Sequence, residues 1–413
     1  MHDDTAFLRR IAEVPDDDAP RLLYADWLEE RGDPRGSFIR VQCALARLPA
    51  DDPRRHDLEQ AERHLLAAHA AAWAGDLAGR VSGWRFRRGF VEEVTLAAEA
   101  FLEHGPHLLP ESMVRTVRLY DCGDIVAKLA RLPALARVTG LDLCGNRLGD
   151  AGLAVLLRSP HLRGVQSLDL SFNSLSNAGV QTLLDAGPWP RLRVLDLRGN
   201  ERVTSRGANP LAHSTALPAL EVLDLRDNQI DATGAWALAN THTLAGLTAL
   251  HLAGNPLGDT GVQALARGPL LPRLIGRAPV LDLRRTDVGP KGLQALITNG
   301  RLLRVTALWL GGNHVGDRGL TALAMAELPH LRELHLADNG ITDDGAAALA
   351  GSPVLNRLTL LDLADNGLSP AGAVTLMSSP YRHWRTVFEL SGNRPPEPDP
   401  DSDAPIPFDY EDE

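Results

Sequence analysis

The sequence contains the phrase Leu168-Asp169-Leu170-Ser171-Phe172-Asn173. This phrase is one of ten similar copies between Leu141 and Asn393. The last residue of the phrase is Asn in nine copies and is replaced by Thr286 in the other one. Successive copies are 27, 27, 28, 27, 31, 27, 26, 27 and 27 residues apart. A nearly fixed period of this length is typical of a solenoid, in which each repeat buries its apolar side against its neighbours.

Each repeat reads as a strand followed by a helix. Leu168 and Leu170 share one side of an extended segment, and Asp169 and Ser171 share the other, which predicts a short strand. A helix-start residue follows four positions after the Asn, namely Asp150, Asn177, Asp259, Asp317 and Asp343, with Pro290 and Pro370 in two other repeats. Stacked repeats of this kind predict a parallel sheet inside a curve and helices outside it, the shape of a horseshoe.

A glycine stands six positions after the Asn, for example at Gly179 and Gly345, and one position later at Gly207. Because a glycine inside a helix costs about 1 kcal/mol relative to alanine, its recurrence predicts that another backbone passes close by. The repeated Asn lies where the chain leaves the strand, and its amide can donate to and accept from backbone groups of the turn. We therefore interpret these asparagines as structural residues.

These features resemble the leucine-rich repeat family. The repeat length and the helical segment with its Asp and Gly resemble the ribonuclease-inhibitor-like subclass, over roughly residues 115–393. The resemblance implies an α/β fold, a right-handed β-α solenoid. The subclass includes enzyme inhibitors, activators of small GTPases and scaffolds, so the resemblance implies a protein partner of unspecified identity.

Residues 1–75 have a different composition, with apolar residues at helical spacing between proline and glycine breaks, and predict three or four helices. The segment that includes Pro15, Asp16, Tyr24, Trp27 and Gly36 resembles a bacterial repeat-companion domain over about residues 3–48. We therefore predict a helical domain at 1–75, a connecting segment with an irregular first strand at 76–114 and the repeats at 115–393. The acidic segment 394–413 is predicted to be disordered, because its composition offers little to bury.

The net charge of −11 is concentrated at the end of the chain. Residues 395–413 hold eight acidic side chains and no Lys or Arg, which leaves the remainder near neutral and argues against a nucleic-acid partner. Three cysteines are too few for a disulfide framework, and the sequence shows neither a signal peptide nor an apolar run of membrane-spanning length. These observations predict a cytoplasmic protein with no membrane association.

Motifs of catalysis and metal binding are missing from the sequence. There is no glycine-rich phosphate loop, nucleophile elbow or zinc motif, so we predict a protein that is not an enzyme and needs no cofactor or metal. Asp16, Asp17 and Asp18 are interpreted as helix capping rather than a calcium site. His56, His64 and His69 are interpreted as a solvated helix face rather than a zinc site.

The strand residues that alternate with the leucines are the candidate binding surface. Most of them are aspartates, which we interpret as structural or solubilising, with nearby arginines neutralising them. Trp309 stands out, because an aromatic side chain beside arginine on a solvent-facing strand is typical of binding anchors. The predicted partner-binding residues are Trp309, His335, His251, Arg284, Arg285 and Arg226. The function predicted is a protein-interaction scaffold that binds on its concave face, with regulation of an enzyme, such as a small-GTPase activator or an enzyme inhibitor, as the alternative.

Overall fold

A computed structural model describes residues 4–49, 52–277 and 279–393. The acidic segment predicted to be disordered, 394–413, lies outside the described residues. The chain divides into two compact units. Unit 1 comprises Met1–Gln229 and Thr241–His251, and unit 2 comprises Ile230–Asn240 and Leu252–Glu413.

Unit 1 begins with four helices: α1 (Thr5–Glu13), α2 (Ala19–Glu29), α3 (Arg35–Arg47) and α4 (Arg55–Ala74). A helical region of about 75 residues therefore precedes the repeats, as predicted. Its buried core includes Ile11, Tyr24, Leu28 and Ile39. The predicted capping before α2 is made by Asp17, whose Oδ1 accepts a hydrogen bond from the amide of Ala19 at 2.9 Å.

An antiparallel hairpin follows, formed by β1 (Gly83–Arg87) and β2 (Phe90–Ala97). Its two turn residues, Arg88 and Gly89, both have positive φ, as the tight turn of a two-residue hairpin requires. The fully buried Arg21 of α2 contacts Glu92 of β2 at 2.5 Å and joins the helices to the hairpin. Burial raises the pKa of the Glu92 carboxyl, and Arg21 opposes that rise.

The repeats of unit 1 alternate strands with helices. Their helices are α5 (Ala98–Glu111), α6 (Val126–Ala130), α7 (Gly149–Leu156), α8 (Asn177–Asp185) and α9 (Ser205–His213). Their strands are β3 (Thr116–Tyr120), β4 (Gly140–Asp142), β5 (Ser167–Asp169), β6 (Val194–Asp196), β7 (Val222–Asp224) and β8 (Ala249–His251). The sheet runs β1 to β8 in chain order and is parallel from β2 onward.

Unit 2 repeats the pattern with a five-stranded parallel sheet. Its helices are α10 (Ala232–Ala239), α11 (Gly258–Arg267), α12 (Leu270–Ile275), α13 (Pro290–Thr298), α14 (Gly316–Ala324), α15 (Asp343–Ala350) and α16 (Pro370–Met377). Its strands are β9 (Val280–Asp282), β10 (Ala307–Trp309), β11 (Glu333–His335), β12 (Leu360–Asp362) and β13 (Val387–Glu389). The predicted parallel strands with flanking helices are thus confirmed in each unit.

The repeated asparagines join one repeat to the next. Asn200 is fully buried, and its amide nitrogen donates to the carbonyl oxygens of Leu170 and Leu197 at 3.1 and 2.8 Å. Its Oδ1 accepts from the amides of Asn173 and Leu175 in the preceding repeat at 3.0 and 2.9 Å. A side chain that satisfies four buried backbone groups is structural, which agrees with the interpretation made from the sequence.

The helix-start residues act on the next repeat, which corrects their sequence assignment. Asp317 was assigned to the start of its own helix α14, but its Oδ1 accepts from the amides of Thr342 and Gly345 at the start of α15, at 2.8 and 3.0 Å. Because Asp317 is the second residue of α14, it already lies inside the first turn. The same link to the next helix start is made by Asp150, Asn177, Asp259 and Asp343.

This second set of bonds refines the expectation for the repeated glycine. A Cβ at Gly345 would lie 2.5 Å from Oδ1 of Asp317 and 3.3 Å from its Cα. A Cβ at Gly372 would similarly collide with the carboxylate of Asp343. At these two glycines the close neighbour is therefore the capping carboxylate of the preceding repeat, with its backbone just behind, whereas at Gly261 and Gly319 the close neighbours are chiefly apolar side chains.

Candidate functional site

One face of each sheet carries the side chains that alternate with the buried leucines, and we call it the strand face. Adjacent strands align these residues in one row. In unit 1 the row is Arg118, Asp142, Asp169, Asp196, Asp224 and His251. In unit 2 the row is Asp282, Trp309, His335, Asp362 and Glu389.

The acidic members of these rows have a local structural role. Each accepts a hydrogen bond from the backbone amide two residues further on, where the strand ends. Asp169, for example, accepts from the amide of Ser171 at 2.8 Å. A carboxylate in this position accepts the hydrogen bond of a turn amide. A hydrogen bond of this kind stabilises the turn by about 1 kcal/mol. The structural interpretation of the aspartates is therefore supported by their bonds.

Trp309 and His335 break the acidic row of unit 2 and form a connected cluster with its neighbours. The guanidinium carbon of Arg284 lies 4.6 Å from the ring centroid of Trp309. The rings of Trp309 and His335 meet edge to face, with centroids 5.7 Å apart and an interplanar angle of 75°. The Trp309 cluster is defined here as Asp282, Arg284, Trp309, His335 and Asp362.

Acidic side chains hold both ends of the Trp309 cluster. Asp282 accepts from Nε and Nη2 of Arg284 at 2.9 and 2.7 Å, which is a bidentate pair. Nδ1 of His335 lies 3.5 Å from Oδ2 of Asp362. Trp309 is partly buried, while the side chain of Arg284 is 45% exposed. The cluster is thus a fixed arrangement that still reaches solvent.

Two nitrogens of the cluster are buried without a hydrogen-bond partner among the described residues: Nε1 of Trp309 and Nε2 of His335. Neither residue supplies the carboxylate that caps the turn amide in the acidic repeats. Trp309 and His335 therefore forgo stabilising bonds that neighbouring repeats make, a cost often found at functional positions, although Nε2 of His335 lies 3.7 Å from a carboxylate oxygen of Glu333.

The chain just beyond Trp309 contains two glycines with different roles. A Cβ at Gly311 would meet only Ala337 O at 3.5 Å and Cγ of Arg284 at 4.0 Å, so packing does not require a glycine there. Gly312 has φ of +68°, and its Cβ would lie 2.8 Å from Cγ of Arg285. Gly312 thus makes room for the exposed Arg285, which lies beside the cluster rather than in its row.

The remaining two predicted site residues belong to unit 1. His251 ends the row of that unit at β8, where it pairs in register with Asp224. Arg226 forms an ion pair with Asp224, with Nη2 to Oδ2 at 2.5 Å, as the neutralising role predicted. The patch predicted from the sequence therefore divides between the units, and unit 2 brings together Trp309, His335 and Arg284.

A second aromatic and arginine pair, in unit 1, was missed by the sequence reasoning. Phe172 is 47% exposed, and the guanidinium carbon of Arg198 lies 5.2 Å from its ring centroid. Nε of Arg198 has no hydrogen-bond partner in the part of the chain that the structure describes. Gly199 leaves room for the ring of Phe172, since a Cβ there would lie 2.3 Å from it, and the sequence alone gave no signal of this contact.

The acidic row of unit 1 has perturbed titration. Burial raises the pKa of Asp196 to about 6, and the neighbouring carboxylates of Asp224 and Asp169 add to the rise. The hydrogen bond from the amide of Arg198 opposes it. Burial also raises the pKa of Asp142. Asp196 therefore becomes protonated as the pH falls through about 6.

No group of three or more His, Cys, Asp or Glu among the described residues could hold a metal ion. Burial raises the pKa of the Cys43 thiol to about 11 and that of Cys122 to about 12, which leaves both protonated near neutral pH. Within 4–49, 52–277 and 279–393, no helix has the length and apolar character that crossing a bilayer requires.

A cavity of about 520 Å³ lies away from the strand face, in unit 1, and is lined by residues that include Tyr24, Arg35, Trp73 and Phe90. Asp4 forms part of its wall, and residues 1–3, which precede it, lie outside the described residues. The strand face rather than this cavity is the candidate site, because Trp309 and its neighbours form a defined cluster there.

Comparison with known families identifies the repeats. The family described as Leucine Rich repeat matches residues 161–184, 191–212, 217–239, 247–266, 305–324, 327–350 and 355–377. The chain therefore carries leucine-rich repeats, and its fold is a leucine-rich-repeat solenoid with parallel strands and flanking helices. No curated protein matches the chain.

Three solved structures are similar to the chain at 18% identity each. An internalin from Listeria monocytogenes gives a TM-score of 0.42 over 73% of this chain and 81% of its own. A TDR receptor gives 0.36 over 72% and 49%, and the mouse RP105/MD-1 complex gives 0.37 over 73% and 46%. The chain thus spans about half the length of the last two, and TM-scores of this size carry no conclusion about binding.

Proposed function

We propose that the protein is a non-catalytic interaction scaffold that binds a protein partner on the strand face of unit 2, with Trp309 as the anchor. Leucine-rich repeats generally serve as protein-interaction scaffolds, and the seven matched segments support that class of function. The observation that carries the proposal is the pair Trp309 and His335 at the centre of the Trp309 cluster, since these two side chains interrupt an otherwise acidic row and supply no turn-capping carboxylate.

The chemistry of the cluster suits a protein surface. Tryptophan and arginine are the residue types most enriched among binding hot spots, and here Arg284 lies against the ring of Trp309. The bidentate pair with Asp282 holds Arg284 in place, so little side-chain entropy remains to be lost on binding. The Trp309 cluster spans four neighbouring strands at roughly 4.8 Å spacing and is therefore about 14 Å long, a length that suits the centre of a protein interface.

The test immobilises the full chain and three variants of it, and compares the proteins that each one retains from a cell lysate. Trp309→Ala removes the anchor, and Gly311→Gln adds bulk next to it at a position where packing leaves room. Met325→Ala is the matched control, since Met325 is 82% exposed and lies at the end of α14 rather than on the strand face. Retained proteins are quantified by mass spectrometry, and the affinity of any specific partner is then measured with purified components.

Loss of a hot-spot side chain costs about 2 kcal/mol or more, which corresponds to roughly 30-fold weaker binding. We expect a partner that binds the unaltered chain and Met325→Ala equally and loses at least that factor with both other variants. A partner whose affinity is the same for all four proteins would refute the strand face as the site. Should the partner be an enzyme, its rate with and without the chain separates a regulator from a passive scaffold.

The repeat subclass, the identity of the N-terminal helices and the cellular location are proposed on separate grounds. We propose the ribonuclease-inhibitor-like subclass, supported by helices of eight to ten residues that follow most strands of the repeats. We propose that the four N-terminal helices are a bacterial repeat-companion domain, supported by the sequence resemblance over about residues 3–48. A cytoplasmic location is supported by the three free thiols, and cell fractionation tests it.

A further inference from the structure

The cavity of about 520 Å³ in unit 1 has the size of a small-molecule site. Side chains of the helices α1 to α5 and of the strand β2 line it. Sites for small molecules typically have volumes of about 300–1,000 Å³ and mostly apolar walls. The apolar lining here consists of Leu8, Tyr24, Trp73, Leu77, Phe90, Val91, Leu108 and Met113. None of the residues of the Trp309 cluster lines this cavity, so its role is independent of the proposed partner site.

The aromatic rings of the cavity are held in place by other rings. Trp73 stacks on Phe38 with centroids 4.8 Å apart, and Tyr24 stacks on Phe90 with centroids 6.1 Å apart. Phe38, Tyr24 and Phe90 are almost completely buried, whereas Trp73 is partly exposed. Rings that are fixed in this way lose little conformational entropy when a ligand binds. The walls are therefore preformed for an apolar group.

Arg35 brings a positive charge to this cavity without a close counter-ion. Its Nε and Nη2 each lie 3.4 Å from the carbonyl oxygen of Gly89, which is longer than the usual range of about 2.7–3.2 Å. Its guanidinium carbon lies 4.9 Å from the ring centroid of Phe90, and no carboxylate of the described residues forms an ion pair with it. Burial lowers the pKa of the Arg35 guanidinium, and the acidic groups around it oppose this change only in part. A cation partly withdrawn from water in this way would be stabilised by a bound anion.

The charged side chains of the lining favour a ligand with one negative charge. Arg9, Arg35 and Arg80 contribute three cations and Asp4 and Asp76 contribute two carboxylates, which leaves a net charge of +1 among the described lining residues. A monoanion neutralises this charge. A dianion would instead leave one excess negative charge beside the two aspartates, which repel it.

We propose that the cavity binds a small organic monocarboxylate with an aromatic or aliphatic body. The carboxylate of the ligand accepts two hydrogen bonds from the guanidinium of Arg35, in the planar geometry that arginine and carboxylates share. The apolar body lies against Trp73, Leu77 and Met113, which are partly exposed. A phosphate ester carries the second charge that the lining disfavours, and a neutral ligand leaves Arg35 without a counter-ion.

Isothermal titration calorimetry of the full chain at neutral pH tests the proposal with two probes. 1-Naphthylacetate carries one negative charge on an aromatic body, and 1-naphthylacetamide has the same body without the charge. The comparison of the two probes on the unaltered chain needs no substitution, so it does not depend on the folding of a variant.

Three variants locate the binding. Ala12→Trp fills the cavity from α1, because Ala12 lines it and is exposed. Ala6→Trp is the matched control, since Ala6 is also exposed on α1 but does not line the cavity. Arg35→Gln removes the charge that selects the acid over the amide. Circular dichroism confirms that each variant retains the folded state.

We expect the unaltered chain to bind 1-naphthylacetate with a Kd of about 1 mM or lower, as typical ligand efficiency gives for a molecule of this size. The amide should bind at least about tenfold more weakly. Ala6→Trp should keep the affinity for the acid, Ala12→Trp should lose at least about tenfold, and Arg35→Gln should bind both probes equally.

Three results would each overturn the proposal. The first is no saturable binding of the acid up to about 5 mM, and the second is equal affinity of the unaltered chain for the acid and the amide. The third is an affinity for the acid that is the same in Ala12→Trp and Ala6→Trp, whether both keep it or both lose it.

Discussion

Replacing Asn200 by alanine should destabilise unit 1 far more than its single side chain suggests. The change removes five hydrogen bonds: three donated to the carbonyls of Leu170, Leu197 and Arg198, and two accepted from the amides of Asn173 and Leu175. Asn173, Leu175 and Asn200 are all fully buried, so the groups left behind have no access to bulk water.

The magnitude follows from the two orphaned amides. A buried donor left without its partner costs about 1–3 kcal/mol, so the pair costs roughly 2–6 kcal/mol, with about 4 kcal/mol as the central value. Asn146 provides the matched control in the same unit. Its Oδ1 accepts from one backbone amide, that of the buried Cys122, so one orphaned amide instead of two should cost about 1–3 kcal/mol, with about 2 kcal/mol as the central value.

Guanidinium unfolding followed by circular dichroism measures both variants. Hydrogen exchange shows which repeats are destabilised. A repeat contacts mainly its neighbours, so the loss of stability should be largest in the repeats next to the substitution. A difference of about 2 kcal/mol predicts exchange at Asn173 and Leu175 roughly 30-fold faster in Asn200→Ala than in Asn146→Ala. If the two variants lose the same stability within about 0.5 kcal/mol, the buried amides are not what makes this asparagine necessary.

Three further substitutions test other features. Thr286→Asn should stabilise unit 2 by up to about 1 kcal/mol in denaturant unfolding, because its Oδ1 can accept from the amide of Leu257 as equivalents do in other repeats, in place of that amide's tight bond to the carbonyl of Asn255 two residues earlier. Gly345→Ala should cost about 1–3 kcal/mol, since the new Cβ would lie 2.5 Å from the capping carboxylate of Asp317. Asp196→Asn should raise the unfolding midpoint near neutral pH and leave it unchanged near pH 4. Burial raises the folded pKa of Asp196 to about 6, above the unfolded value, so its contribution to stability falls as pH rises through that interval.

Each of these has an outcome that contradicts it. For Thr286→Asn it is a lower unfolding midpoint, which would mean that the side chain does not fit. For Gly345→Ala the control is Gly351→Ala, whose Cβ would meet nothing closer than 3.7 Å, and equal losses would exclude the carboxylate contact as the cause. For Asp196→Asn it is a stability difference from the unaltered chain that does not grow between acid and neutral pH.

The strands, and the residues that lie side by side on adjacent strands, could be predicted. In a parallel sheet built from repeats of equal length, equivalent residues of successive repeats are aligned. Once Trp309 is placed on a strand, its neighbours in the row must be the equivalent residues one period away, which are Asp282 and His335. The division between units could not be predicted. His251 belongs to unit 1 and Trp309 to unit 2, and the 31-residue interval between Asn255 and Thr286, against 26 to 28 elsewhere, is the feature of the sequence that coincides with this division.

The contacts that escaped prediction join residues whose partner is not set by local pattern. Asp317 carries the local signature of a helix start, and only the packing of successive helices directs it to Thr342, 25 residues further on. The pair of Phe172 and Arg198 depends on the room left by Gly199, which is visible only when three-dimensional neighbours are known. The hairpin of β1 has no counterpart in the repeats, so the period held no information about it.

The carboxylates that cap the following helix also constrain how such a chain can change in length. Each one is an acceptor whose donor belongs to the adjacent period, so a junction created by deletion or duplication must again place an acidic or amide residue about 25 residues before a helix start. Deletion of one whole repeat preserves that spacing. A deletion of any other length leaves one helix start without its capping acceptor and one capping side chain without its donors. The number of copies is therefore free to drift during evolution, while their phase is not.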